Sequence, residues 1–163
     1  MDWDRPVNVE YLTVDGEMVI NQEANMEMCG GWSRAWTPHS FKIKANKIYE
    51  GENFLPYQVF PNKAYLKHKT WQIRNGGNDT GSRIKDAVLQ TIVHTSGLEV
   101  DGQECQPVVH FINGKYIGVL NIREPNNKHF VEANYALGDD EIDQFEMSPD
   151  SGYVQKCGTD ESF

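Results

Sequence analysis

Val7, Val9, Tyr11 and Thr13 alternate with Asn8, Glu10 and Leu12, the period of two that marks a strand. Asp15-Gly16 supplies a turn, and Met18–Ile20 resumes an apolar run. After a polar stretch, Met26–Met28 leads into Cys29-Gly30-Gly31-Trp32, which reads as a turn or bulge. Ser40-Phe41-Lys42-Ile43-Lys44-Ala45 alternates cleanly, with Phe41 and Ile43 on one face and Lys42 and Lys44 on the other. Residues 46–65 are irregular and rich in aromatics. Tyr49, Phe54, Leu55, Tyr57 and Phe60 need burial, so this stretch reads as a packed loop rather than a linker.

Thr70–Arg74 is a further short strand, ended by Asn75-Gly76-Gly77-Asn78-Asp79. A helix follows over about 82–95, capped by Thr80 or Ser82, with Ile84, Val88 and Ile92 repeating every four residues and Gly97 stopping it. Two apolar strands then flank Asn113-Gly114-Lys115. Asn-Gly between such strands marks a hairpin, here about 107–123, because both turn residues must take positive φ. Pro125 ends the second strand. Asn126 or Asn127 caps a second helix over about 127–137, closed by Gly138. Strands first, with helices to one side, predict an α+β fold: a mostly antiparallel sheet with one or two packed helices.

Length and composition narrow the class. A chain of 163 residues, 39% hydrophobic with 18 aromatics, holds one core and is not disordered. It contains no apolar run of the roughly 18–20 residues that a membrane helix needs. Net charge is −9, and residues 139–163 alone hold eight acids against Lys156. The chain therefore reads as a near-neutral domain over 1–138 followed by an acidic tail over 139–163. Nucleic acid is an unlikely partner, since duplex binding needs a basic footprint. Cys29, Cys105 and Cys157 form no CxxC pair, which argues against zinc. Three thiols, or one disulfide and a spare thiol, both remain open. The first residues lack the basic start and apolar core of a signal peptide.

The candidate chemistry is sparse. Gly76 and Gly81 frame a strand-to-helix loop in the setting of a phosphate-binding loop, but Ser82-Arg83 stands where that motif requires Lys and Ser/Thr. A tight turn needing positive φ is the alternative. Arg74 at a strand end, with Asp86 one turn into the next helix, offers the cation–acid pair with which kinases grip nucleotide phosphates; an ordinary salt bridge is the alternative. The five histidines have no ligand spacing, no G-x-S-x-G elbow is present, and Asp139-Asp140-Glu141 with Asp143 lacks the layout of a calcium loop. Asn78-Asp79-Thr80 fits a glycosylation sequon.

Taken together, Ser40–Lys44, Ile73-Arg74-Asn75-Gly76-Gly77-Asn78-Asp79, Arg83–Ala87, Phe111-Ile112-Asn113-Gly114-Lys115-Tyr116-Ile117-Gly118 and Ile122-Arg123-Glu124 resemble the CotH family over roughly residues 25–145. That family comprises spore-coat proteins and bacterial and fungal relatives similar to atypical protein kinases. The resemblance implies the small, nucleotide-gripping lobe of a kinase. Arg74, Asp86, Lys42, Ile122 and Glu124 would bind nucleotide, and Asn75, Gly76, Gly77, Asn78 and Asp79 would form the phosphate loop. Ile122 and Glu124 would lead into the hinge against which adenine lies.

In kinases the acid that orients the acceptor and the Asp/Asn set that holds Mg²⁺ lie in a second lobe. The resemblance therefore implies an amino-terminal fragment with no catalytic or metal-binding residue of its own and little phosphotransfer by itself. ATP and Mg²⁺ belong to the full-length protein, as do the missing carboxy-terminal lobe and a protein substrate offering Ser or Thr. The cell envelope or exterior is the expected location where the precursor carries a signal peptide. The rival reading is a non-catalytic adhesion module, with Tyr49, Phe54, Tyr57 and Trp71 contacting carbohydrate or protein at a cell surface.

Overall fold

The computed structural model describes residues 4–46, 51–77, 79, 81–148 and 150–160. Tyr49, Asn78 and Thr80 lie outside the described residues. The chain divides into two compact units, residues 1–124 and 125–163.

In the first unit, β1 (Asp4–Leu12) and β2 (Met18–Cys29) form a hairpin; β3 (Ser40–Lys44), β4 (Leu55–Pro56), β5 (Lys67–His68) and β6 (Thr70–Arg74) follow, then α1 (Lys85–Thr95), β7 (Cys105–Ile112) and β8 (Lys115–Arg123). The main sheet runs β1-β2-β3-β6-β8-β7 and every neighbouring pair is antiparallel. The two-residue strands β4 and β5 pair with each other inside the loop that joins β3 to β6.

β2 differs from its sequence reading. The polar stretch Asn21–Asn25 does not interrupt it, because Ile20 and Ala24 alternate inward while the strand pairs with β1 over residues 18–27 and with β3 over 25–29. Backbone pairing on both sides outweighs the weak strand preference of Asn and Glu. The β7–β8 turn is as the sequence expects: Asn113 and Gly114 both take positive φ, 50° and 74°.

One face of the sheet carries the core. Ile20, Ala24, Ile43, Trp71, Ile73, Leu120 and Ile122 lie beneath Leu55, Val59 and Phe60 of the 51–66 loop, so that loop is packed. His68 is buried between Phe60 and Tyr65, ring centroids 5.2 and 5.3 Å away. Its buried Nε2 has no hydrogen-bond partner, nor has Nδ1 of His110. Burial pushes the pKa of His68 down, outweighing the attraction of Glu124, and lowers that of His110.

Both imidazoles are therefore held neutral, while in the unfolded chain they bind protons below about pH 6.5. Stability is present above that pH and falls as pH drops towards the folded-state pKa values, by up to about 1.4 kcal/mol per pH unit for each ring. Urea midpoints at pH 7.5 and pH 5 should differ accordingly, and His68→Phe should flatten the dependence. An unchanged slope in that variant would remove His68 from the effect.

α1 departs most from its pattern. Ile84, Val88 and Ile92 are about half exposed and no residue of the helix is buried. It docks instead through polar groups: Asp86 pairs with Arg123, Gln90 Oε1 accepts from the Gln103 N–H at 3.0 Å, and His94 lies 3.3 Å from Glu104.

The second unit begins with α2 (Lys128–Tyr135), whose Asn127 cap accepts from the N–H groups of His129 and Phe130. Ala136, at φ 55°, ends this helix two residues before Gly138. The stretch expected as an acidic tail holds a 3-10 turn at Asp139–Glu141 and a hairpin of β9 (Gln144–Ser148) and β10 (Gly152–Cys157). All three cysteines are free thiols.

Candidate functional site

Opposite the core, register assembles a polar face. Side chains directly across antiparallel strands point to the same side, so Glu27, Lys42, Gln72 and Arg123 form one row across β2, β3, β6 and β8. Asn25, Lys44 and Thr70 form the row on one side of it. Cys29 with Ser40, and Arg74 with Asn121, lie on the other. Four cations thus share one face of a chain whose net charge is −9. Among the described residues two carboxylates pair with them, while Asp4 of β1 stands opposite Glu27 in the same row. Glu27 reaches Lys44 at 2.5 Å and Lys42 at 3.4 Å. Asp86 descends from α1 to Arg123 at 2.5 Å. Burial works against the Glu27 charge, but the two lysines prevail and lower its pKa. Burial raises that of Cys29, whose thiol receives a contact from Gln72 Nε2 at 3.4 Å and feels both Lys42 and Arg74.

Two loops meet at one end of this face, joined by Asn75. Its amide nitrogen Nδ2 donates to the carbonyls of Pro38 (2.8 Å) and Ser33 (3.2 Å), and its Oδ1 accepts from the Gly77 N–H (2.9 Å). Its own backbone N–H donates to the Ser40 hydroxyl at 2.9 Å. Asn75 thereby fixes the β2–β3 loop, with its 3-10 turn at Trp32–Ala35, against the Gly76-Gly77 turn. Gly76 has φ 91°, and a Cβ there would press on the Asp79 carbonyl and on Arg83, so only glycine suits the position.

Asp79 then holds the start of α1. It accepts from the Ser82 hydroxyl and N–H and from the Lys85 N–H at 2.8 Å, and the Ser82 bond is the largest influence lowering its pKa. The N-cap position is Ile84, which makes no side-chain cap bond, so Ser82 is not the cap; Asp79 instead reaches the first helical N–H from the preceding loop. The backbone N–H groups of Gly77, Asp79, Ser82, Arg83 and Lys85 are all engaged within this segment.

The residues singled out in the sequence separate into groups. Lys42 and Arg74 share the polar face. Asp86 reaches that face too, but its partner is Arg123; Arg74 makes no ion pair with it among the described residues. The pairing of Arg74 with Asp86 is corrected accordingly: after the long Asn75–Ile84 connection the helix starts over β8, where the Asn121 amide donates to the Arg83 carbonyl. Ile122 points the other way, into the core. Glu124 is buried, 2.9 Å from Lys63, and accepts from the Glu104 N–H, so it holds the β7 and β8 ends to the 51–66 loop. Trp71 is core, Tyr57 packs at a tilt against Tyr11 with centroids 5.3 Å apart and Phe54 lies under Lys67. Of the four aromatics of the adhesion reading, Trp71 is buried and Phe54 and Tyr57 are half-buried.

Arg123, Lys44, Glu27 and Gln72 were not picked out as site residues. Their signal was the alternation in Lys42-Ile43-Lys44 and Ile122-Arg123, which places polar groups on one face but does not say which strands lie side by side. Among the described residues no three His, Cys, Asp or Glu side chains cluster to hold a metal, and no helix is long and apolar enough to cross a membrane.

A mostly antiparallel sheet with a cation-lined face, and an acid delivered to it by the helix after a central strand, defines the class of arrangement. The family model for CotH kinase protein matches residues 26–162, most of the chain. The chain belongs to the CotH kinase family. No curated protein matches it.

Proposed function

We propose that the polar face binds the phosphates of ATP, and that this chain forms the nucleotide-gripping part of a CotH-type kinase acting on Ser or Thr hydroxyls of protein. The reading likens the sheet to a kinase small lobe, with Arg123 and Asp86 in the place first given to Arg74 and Asp86. The observation that carries it is the gathering of Lys42, Lys44, Arg74 and Arg123 on adjoining rows of one sheet face. Guanidinium forks match phosphate oxygens two at a time and lysines add point charge. Arg74, the one of the four cations with no carboxylate partner in the site just described, is the natural first contact.

The residues on this face fit a polyphosphate but not Mg²⁺. Glu27 is occupied by two lysines and Asp86 by Arg123, so no step is routed through a metal here. The two acids beside the cations, Glu27 and Asp86, are both engaged, so phosphotransfer by these residues alone is not part of the proposal.

Titration calorimetry with ATP tests it. Arg74→Ala should weaken binding about tenfold, roughly 1.4 kcal/mol, and Lys42→Ala by a similar factor, with affinity falling as salt rises. Absence of ATP binding by the folded chain, or equal affinity in Arg74→Ala, would overturn the assignment.

A further inference from the structure

The two edges of the main sheet are unlike. β1 carries Asp4, Arg5 and Glu10, the charges with which edge strands discourage further pairing. β7, Cys-Gln-Pro-Val-Val-His-Phe-Ile, has no charged residue and is hydrogen-bonded to β8 alone. Beside it lies apolar surface. Val109 and Val119 face each other across β7 and β8 at 60% and 53% exposure. Phe111 and Tyr116, also more than half exposed, hold their rings 5.7 Å apart. On the same face, α1 turns Ile84 and Val88 outward.

From these features we infer that β7 is the seam of a symmetric dimer: a second copy of this chain pairs its own β7 antiparallel to the first. A two-fold axis through Val109 puts that residue opposite its copy, Phe111 opposite Pro107 and His110 opposite Val108. Every side chain keeps its face and no charge meets a like charge; Pro107, which has no N–H and whose carbonyl takes the Gln106 amide at 3.2 Å, stays out of the ladder while Val109 and its neighbours form it. Such an interface is self-complementary, as two-fold symmetry requires.

The dimer's two α1 helices flank the seam on one face, and the apolar side chains between them leave water. Six half-exposed large apolar residues offer roughly 500–600 Å² per copy, taking about half of the 150–250 Å² that an aromatic buries in full. With the strand backbones added, this approaches the ~800 Å² per partner of a stable interface. The charges along β1 oppose such pairing there, and their absence selects β7.

Sedimentation equilibrium of the 163-residue chain at about 1–100 μM, the range for a micromolar dimer, reads the result directly. The expected mass is twice 18.6 kDa. Val109→Lys should weaken the dimer at least tenfold, while Leu12→Lys on the β1 edge leaves it intact. Amide exchange gives a reading that needs no variant to fold: β7 amides should slow as protein concentration rises, while β1 amides do not. A monomer throughout the range, a Val109→Lys dimer as tight as wild type, or β7 exchange independent of concentration would each overturn the inference. A partner that is some other extended protein segment would show as the first of these.

Discussion

Trp71→Ala is expected to lower the unfolding free energy by about 3–5 kcal/mol, the range for deleting a large buried aromatic. Trp71 is 1% exposed and sits on β6, the strand that joins β3 to β8. Its ring packs edge-on to Tyr11 at 5.6 Å, so the cavity would open between the β1–β2 hairpin and the centre of the sheet. The covering loop cannot collapse freely, because Leu55, Val59 and Phe60 already pack there. Urea unfolding should show the lowered midpoint with little change in slope. Trp71→Phe should cost less than half as much: it keeps most of the volume and removes an indole N–H that is buried without an acceptor. A loss below about 1 kcal/mol in Trp71→Ala would contradict its place in the core.

Asn75→Ala carries the second large effect, about 3 kcal/mol. Its side chain makes three hydrogen bonds in a site 5% exposed, and each buried group left without a partner costs about 1–3 kcal/mol. Solvent reaching the opened loop would relieve part of that cost, so the total stays well below the sum. Asn75→Asp should be no milder, since it replaces the donor to two carbonyls with an anion. Ser40→Ala, which removes the one acceptor of the Asn75 backbone N–H, should cost about 1 kcal/mol. The distinguishing measurement is local. In Asn75→Ala the Gly77 amide should exchange faster by a larger factor than the core amides of β6. If both loops keep wild-type protection, Asn75 is not what joins them.

Local chemistry made several elements readable from the chain. Asn113-Gly114 needed only its own two backbone angles, and the Lys85–Thr95 helix needed only its spacing. The loop framed by Gly76 and Gly81 announced a turn needing positive φ, and Gly76 has it, at 91°. The motifs that suggested the CotH family lie inside the span its family model matches. The failures share a cause as well. The stripe of Ile84, Val88 and Ile92 identified α1 without revealing that Asp86, Gln90 and His94 would hold it down, because helical spacing shows that a face exists and not what it meets. The β9–β10 hairpin was hidden by acids, since composition weighs charge and ignores strand pairing.

What the residues alone determined about this protein is therefore the kind and order of its elements, most of its turns and its family, all of which depend on neighbours a few positions apart. What only tertiary structure decided is which distant residues share a surface. The crossing of β6 to β8 put Arg123 in line with Lys42 and gave it Asp86, leaving Arg74 beside Asn121. Strand order is set by burial of one whole face against the 51–66 loop, a sum over residues far apart in the chain, and no window of sequence contains that sum.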